Sequence, residues 1–244
     1  MRDDRHDDRR GAERPSGERG GILTILLVLV LVVAAGAAAL WWFVIRSDPE
    51  PKPEIEPTEV VEGGTIDGTW TLTPNDAEGS FVGYRVQEQF GGDLVENTAT
   101  GRTTDVRGSM TITGTTVSEA RVDANLRELR SDRDRRDNAL KTRGLQTDEF
   151  PEATFVLTEP IELPGDPTPG RKVRVAANGD LTLHGITRSV RFPLEARWDG
   201  QAVQVVGELP IRFAEFGITP PDVAGFVTVK DAGTIELQLF FTMS

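Results

Sequence analysis

The most constraining feature of this sequence is a period-two alternation of apolar and polar residues that recurs through its last 180 residues. In TIELQLFFTM, residues 234–243, apolar residues occupy alternate positions and the residues between them are mostly polar. The same pattern occurs in SFVGYRVQEQ, residues 80–89, and in SVRFPLEARW, residues 189–198. Successive side chains of a β-strand point to opposite faces, so the pattern predicts strands with one buried face. Such strands line a common interior.

Turn-forming residues separate the predicted strands at intervals typical of hairpins in an antiparallel sandwich or barrel. They are Gly91-Gly92, Gly114, residues 165–170, Asn178-Gly179, Gly185, Asp199-Gly200 and Gly233. One stretch, SDRDRRDNALKTRGLQ at residues 131–146, is too polar for a strand and is predicted to be a short helix. Residues 65–244 are therefore predicted to form one all-β domain.

An uncharged apolar run, residues 22–45, precedes this domain. At 1.5 Å per residue in a helix it is long enough to cross a hydrocarbon core of about 30 Å, so it predicts a single transmembrane helix. Six arginines precede the run and only Arg46 and Lys52 follow closely. The positive-inside rule then predicts a cytoplasmic N-terminus and an extracytoplasmic β-domain at the cell membrane. A cleaved signal peptide is the alternative, because AAGAAA offers small residues for cleavage.

Two polar segments flank the apolar run. Residues 1–21 alternate acids with arginines and are predicted to be a disordered cytoplasmic tail. Residues 46–64 form a linker rich in proline and acids, which is predicted to be an extended spacer that holds the domain away from the membrane. The net charge of −12 argues against a nucleic-acid partner.

The sequence contains little that indicates catalysis or a metal site. It has no cysteine, no G-x-S-x-G and no H-E-x-x-H motif. Asp132, Asp134 and Asp137 resemble the start of a calcium loop, but Asp137 stands where that loop needs glycine. A solvated network of these acids with neighbouring arginines is predicted instead. His184 is the only histidine of the domain and is predicted to form a turn with Gly185. We therefore predict a protein that is not an enzyme and has no metal or cofactor.

Two blocks of sequence resemble the YceI-like family. The first is RDNALKTRGLQTDEFPEATFVLT at residues 136–158, and the second is NGDLTLHGITRSVRFPLEA at residues 178–196. The resemblance implies a lipocalin-like antiparallel β-barrel that encloses a polyisoprenoid or a similar lipid, in bacterial proteins that are commonly exported and often dimeric. Ala139 stands where the family usually has a histidine, and residues 78–80 lack the common His-Ser pair. If those histidines bind a ligand headgroup in other members of the family, that function cannot be transferred to this chain.

The combined prediction is a membrane-anchored YceI-like barrel that binds or carries a long apolar ligand, such as a polyisoprenoid, quinone or lipid. The wall candidates, taken from the apolar faces of the predicted strands, are Val82, Tyr84, Val86, Phe155, Phe192, Leu194, Trp198, Leu237, Leu239 and Phe241. A homodimer is a further expectation. The alternatives are a filled barrel that serves as an interaction domain of the envelope, and a lipid-modifying enzyme in which His184 would face the cavity beside a carboxylate.

Overall fold

The structure is a computed structural model that describes residues 18–40, 42, 48–72, 79–90, 95–220, 222–223 and 227–244. The chain divides into two compact units, Met1–Arg46 and Ser47–Ser244. Most of the predicted tail, the end of the predicted membrane span and the predicted turn at Gly91-Gly92 lie outside the described residues.

The first unit contains helix α1, Glu18–Leu40. The predicted span of residues 22–45 thus coincides with α1 only up to Leu40, and α1 begins within the segment predicted to be disordered. In the part of the chain that the structure describes, no helix has both the length and the apolar character needed to cross a membrane. The transmembrane prediction is therefore not supported by the residues that the structure describes.

The second unit is built almost entirely of β-strands. They are β1 (Gly68–Leu72), β2 (Phe81–Phe90), β3 (Val95–Thr103), β4 (Val106–Thr113), β5 (Thr116–Asn125), β6 (Arg130–Ser131), β7 (Glu152–Leu157), β8 (Ile161–Glu162), β9 (Lys172–Leu183), β10 (Ile186–Trp198), β11 (Ala202–Ile211), β12 (Asp222–Val223) and β13 (Val227–Met243). Helix α2 covers Asp134–Thr142, within the stretch predicted to be helical. Short 3-10 helices cover Leu126–Glu128 and Phe213–Phe216.

Eight of these strands close into an antiparallel barrel in the order β1, β4, β5, β7, β9, β10, β11 and β13. The ring closes where Trp70 and Thr71 of β1 pair with the last residues of β13. The long strand β13 also pairs with β2 over residues 227–238, and β2 is followed laterally by β3 and β6. The predicted antiparallel barrel with one short helical segment is confirmed.

The hairpin between β9 and β10 has the predicted two-residue turn. Leu183 pairs with Ile186, so His184 and Gly185 form the loop, with φ angles of 51° and 71°. Positive φ at both central positions is characteristic of a type I′ hairpin turn, and glycine adopts it without steric cost.

Two of the other predicted turns lie inside strands instead. Asn178-Gly179 belongs to β9, where the ring of Phe155 packs directly over the Gly179 backbone and leaves no room for a Cβ atom. Gly233 belongs to β13, at a register shift in its pairing with β2. Glycine inside a strand is compatible with close packing against its backbone or with a bulge, and both occur here.

Residues 48–61, called the strap below, pack against the outer face of the barrel. The strap crosses neighbouring strands: the Glu50 amide donates to Thr100 Oγ1 on β3 at 2.9 Å, and the Glu56 amide donates to Gln204 Oε1 on β11 at 3.0 Å. Ile55 is buried, and the Val61 amide donates to the Asp199 carbonyl after β10 at 2.7 Å. The predicted spacer is extended, but this part of it belongs to the second unit rather than standing away from it.

Basic side chains of the barrel explain why the strap docks. Four prolines remove backbone donors from the strap but leave its carbonyl groups as acceptors. Arg197 Nη1 donates to the Glu56 carbonyl at 2.9 Å, Arg85 Nη2 to the Glu50 carbonyl at 2.7 Å, and Lys172 Nζ to the Ile55 carbonyl at 3.2 Å. These donors come from strands far along the chain, so the local composition of the strap does not reveal them.

Candidate functional site

The interior of the barrel contains two adjoining apolar cavities. The first has a volume of about 180 Å³ and the second about 120 Å³. Val82, Ala153 and Ile235 border both of them. The first cavity extends to the loop that contains Gly165 and Arg171. The second extends towards α2 and the 3-10 helix Phe213–Phe216. Together they form an apolar space along the inside of the barrel.

All the wall candidates from the sequence border these cavities. Val82 borders both; Tyr84 and Val86 border the second; and the first is bordered by Phe155, Phe192, Leu194, Trp198, Leu237, Leu239 and Phe241. Phe155 and Phe192 pack edge to face, with ring centroids 5.5 Å apart. Whether these residues contact a ligand stays a prediction.

Sequence reasoning missed a second group of wall residues. They are Met110 and Ile112 on β4, Val117 and Val122 on β5, Val175 and Leu181 on β9, and Val205 and Leu209 on β11. The pairing of β4 with β5 shifts register between Thr111 and Ile112, which interrupts a simple alternation there. In β9 and β11 a period-two count would have identified the inner face.

The second cavity ends at a buried ion pair. Arg136, from α2, donates through Nε and Nη2 to the two carboxylate oxygens of Glu88 on β2, at 2.8 and 2.9 Å. Both side chains are close to fully buried. Burial alone lowers the pKa of Arg136, but hydrogen bonding to Glu88 and its negative charge outweigh burial and raise the pKa above its ordinary value. Such a bidentate arrangement stabilises the charged form of the Arg136 guanidinium.

The remaining polar atoms near α2 are also occupied. Asp137 accepts from the Ser131 amide at 3.0 Å and from Ser131 Oγ at 2.6 Å, and Asp137 is buried. Arg136 Nη1 donates to Asp132 and to Ser131 Oγ. The predicted solvated network is therefore partly wrong, because Arg136 and Asp137 are buried and bind α2 to β2 and β6. Among the described residues no group of three or more His, Asp or Glu side chains is placed to hold a metal ion.

Tyr84 lies beside this ion pair with an unsatisfied hydroxyl. The Tyr84 hydroxyl is buried and has no hydrogen-bond partner within the described parts of the chain. Its ring lies across Gly101 of the neighbouring strand, where an added Cβ would stand 2.9 Å from the hydroxyl. Burial raises the pKa of the phenol well above its ordinary value; Asp137 and Glu88 add to this rise, whereas Arg136 and the Ser131 hydroxyl oppose it. Tyr84 is therefore a neutral phenol at physiological pH.

A second unpaired donor borders the first cavity. The Trp198 indole Nε1 is buried and likewise has no partner among the residues that the structure describes. Buried polar groups usually form hydrogen bonds, so each unpaired donor marks a position where a ligand oxygen or a water molecule would be stabilised.

His184 does not border either cavity. Its Nδ1 lies 3.1 Å from the Phe216 carbonyl oxygen and its Nε2 lies 2.9 Å from Gln146 Oε1. Phe150 packs against the imidazole, with ring centroids 4.3 Å apart. His184 thus joins the β9–β10 turn to two loops, and nothing in this arrangement resembles the His–carboxylate pair that an enzymatic function would require.

Comparisons with known proteins agree with this architecture. The chain is similar to a polyisoprenoid-binding domain from Saccharophagus degradans at 18% identity, with a TM-score of 0.56, covering 72% of this chain and 98% of the other. It is also similar to BcnA from Burkholderia cenocepacia at 19% identity, with a TM-score of 0.50, covering 66% of this chain and 95% of the other. At these identities the likeness supports the fold alone.

A search of curated protein sequences finds no match. The sequence profile of the YceI-like domain, in contrast, matches residues 70–241, which is more than half of the chain and includes every barrel strand except the first residues of β1 and the end of β13. The chain therefore belongs to the YceI-like family.

Proposed function

We propose that the barrel binds a long apolar molecule, such as a polyisoprenoid, quinone or lipid, in its two adjoining cavities and carries it. The observation that supports this most is the apolar lining of the two cavities, to which side chains of β2, β4, β5, β7, β8, β9, β10, β11 and β13 contribute. Each buried CH₂ group of a chain-like ligand contributes about 0.8 kcal/mol, offset in part by the loss of conformational freedom. Shape and apolar lining therefore suffice for binding, without a catalytic group.

The direct test is to purify the full chain from a lipid-containing host, extract it with organic solvent and identify the extract by mass spectrometry. We expect about one chain-like apolar compound per barrel. A protein that releases none and also fails to take up fluorescent prenyl or fatty-acyl probes would contradict the proposal.

A matched pair of variants on β7 makes the test specific. Ala153 borders both cavities, so Ala153→Phe should block the space between them and greatly reduce the extracted compound. Val156 lies on the same strand and is exposed, so Val156→Phe places the same side chain outside and should leave the yield unchanged. Equal loss in both variants would indicate misfolding rather than a blocked cavity.

The filled-barrel alternative requires an interior without free volume. Well-packed protein interiors have few voids larger than a water molecule. Cavities of about 180 and 120 Å³ far exceed that limit and favour the binding function.

The proposal also includes anchoring of the barrel outside the cell membrane through the apolar run at residues 22–45. In α1, Leu27, Val32 and Val33 are more than 60% exposed, and such apolar side chains need an apolar environment. Because the chain has no cysteine, single cysteines introduced as Ser16→Cys and Ser118→Cys can be labelled selectively in intact cells. An impermeant maleimide should label only Ser118→Cys; labelling of Ser16→Cys alone, or release of the protein by carbonate, would contradict this topology and anchoring.

A homodimer belongs to the same proposal and is tested separately. Light scattering of the purified chain should give twice the mass of 26.7 kDa. A monomer mass would remove the dimer without affecting the ligand-binding proposal.

A further inference from the structure

The polar end of the second cavity contains a buried hydrogen-bond donor that lacks a partner among the described residues. Four of the residues that border this cavity carry polar side chains, namely Tyr84, Glu88, Arg136 and Thr234. Glu88 and Arg136 satisfy each other through two hydrogen bonds. The Tyr84 hydroxyl, by contrast, is buried and forms no hydrogen bond of normal geometry in the described structure. A polar neighbour, the Ser131 hydroxyl, interacts with the phenol but already donates to Asp137 and accepts from Arg136.

The charges around this donor disfavour an anion. Among the residues that the structure describes, Arg136 is the one cation that borders the second cavity, and its guanidinium is already bound to Glu88, Asp132 and the Ser131 hydroxyl. Asp137 adds a further carboxylate next to Ser131. Arg133 pairs with Asp132 in turn, its Nε 3.8 Å from the carboxylate. With two paired cations against three acids, a phosphate or carboxylate that entered here would meet no free positive charge and would lose its hydration.

The position of the donor is fixed by packing. The Tyr84 ring lies over the backbone of Gly101, which has no side chain to displace it. Val82 and Val86, on either side of Tyr84 along the same face of β2, border the same cavity. The hydroxyl is thus held at the junction between an apolar wall and the ion pair, which is where the head of a chain-like ligand would lie.

From these observations we infer that Tyr84 donates a hydrogen bond to an uncharged oxygen at the head of the ligand, while the surrounding carboxylates select against a phosphorylated head. The inference rests on the proposed ligand-binding function and narrows its substrate class to neutral, oxygen-bearing chains. Tyr84 is here a binding residue.

The test compares three probes that share one C20 prenyl chain: the alcohol, its monophosphate and the parent hydrocarbon. Their affinities are measured for the full chain, kept in solution by an amphipathic polymer too bulky to enter the barrel. The unmodified protein should bind the alcohol about 3- to 10-fold more tightly than the hydrocarbon, the value of one net hydrogen bond. It should bind the monophosphate more weakly than the alcohol.

Tyr84→Phe removes only the hydroxyl and should abolish the preference for the alcohol over the hydrocarbon. Thr154→Val is the matched control, because Thr154 also borders a cavity but its hydroxyl already donates to Asp123 at 2.7 Å. This control should keep the preference. Retention of the preference in Tyr84→Phe, or tightest binding of the monophosphate, would overturn the inference and leave apolar ligand binding intact.

A second measurement uses the unmodified protein, so it does not depend on the folding of a variant. Tyr84 is the only tyrosine of the chain, so a ¹³C label at its ζ carbon gives one assigned NMR signal. The alcohol should shift this signal much more than the hydrocarbon, and equal shifts would overturn the inference. If no probe binds to any of the proteins, the proposed function itself fails along with this inference.

Discussion

The inner and outer faces of β2 and β13 bury their side chains in different ways. On the inner face, Val82 and Leu237 border an apolar cavity. On the outer face of the same two strands, Arg85 and Glu236 form an ion pair in which the Glu236 side chain is 1% exposed. Arg85 also donates to the carbonyl of Glu50 in the strap.

The outer face of these two strands is covered by the strap, whereas the inner face borders unfilled space. On the outer face, Arg85 and Glu236 find their partners in each other and in the strap. The inner face retains volume that its own side chains do not fill, together with the unpaired hydroxyl of Tyr84. A ligand is therefore expected on the inner face, whereas changes on the outer face should alter stability without altering ligand binding.

The largest effect is expected from Arg85→Leu on the outer face. It leaves the buried Glu236 carboxylate without its partner, which typically costs about 3 to 5 kcal/mol of unfolding free energy. Denaturant unfolding measures this cost. Arg121→Leu, which breaks an exposed pair with Asp123, is the control and should cost less than about 1 kcal/mol. Similar values for both variants would show that the outer pair is not effectively buried.

Phe192→Ala probes the inner face. Phe192 is 5% exposed and packs against Phe155, so its truncation should cost about 3 kcal/mol and enlarge the first cavity. The variant should accept bulkier apolar probes than the unmodified protein. Phe240→Ala, on the outer-facing side of β13, should not change probe selectivity. If both variants changed selectivity alike, the distinction between the two faces would be lost.

Arg197→Leu is expected to release the strap. Arg197 donates to the carbonyls of Gly170, Glu56 and Thr58 and to Thr58 Oγ1, at distances between 2.6 and 3.2 Å. Loss of these hydrogen bonds should cost about 2 kcal/mol of unfolding free energy. Hydrogen exchange of the Glu56 and Val61 amides should accelerate. Arg191→Leu, an exposed position on the same strand, serves as the control, and unchanged exchange of both amides in Arg197→Leu would show that Arg197 does not hold the strap in place.

Lys52→Ala should have the smallest effect. The Lys52 Nζ and Glu208 carboxylate are 2.9 Å apart, but the two side chains are 58% and 38% exposed. Such pairs contribute at most about 1 kcal/mol, and salt screens them. Unfolding experiments at low and high salt should converge for the variant and the unmodified chain. A loss above about 2 kcal/mol that persists at high salt would instead assign the lysine a packing role.

The period-two pattern predicted much of the fold and the wall of the candidate site. Alternation is a local consequence of strand geometry, so it identified the inner faces of β2, β10 and β13 without knowledge of their neighbours. The His184-Gly185 turn was predictable for the same reason, since a two-residue hairpin needs only a local change of φ. Gly179 was wrongly predicted to be a turn, because glycine is required there by the Phe155 ring of the neighbouring strand, which leaves no room for a Cβ atom.

The polar end of the second cavity could not be predicted from local sequence. Glu88 lies on β2 and Arg136 on α2, 48 positions apart, and each is unremarkable among the charged residues near it. The resemblance to the YceI-like family drew attention to Arg136 and Asp137 but did not identify their partners. The docking of the strap was missed for the same reason: Gln204 accepts a hydrogen bond from the Glu56 amide, and the two residues are 148 positions apart.

The sequence by itself determined that the chain forms strands with one apolar face, because the alternation of side chains depends only on neighbouring residues. The tertiary structure alone decided that β1 meets β13 to close the barrel, that two cavities remain inside it, and that the strap covers the outer face. These features depend on contacts between distant residues, and only closure of the barrel brings those residues together. The Tyr84 hydroxyl became informative in the same way, since the packing of β2 with β3 and α2 buries it beside the Glu88–Arg136 pair.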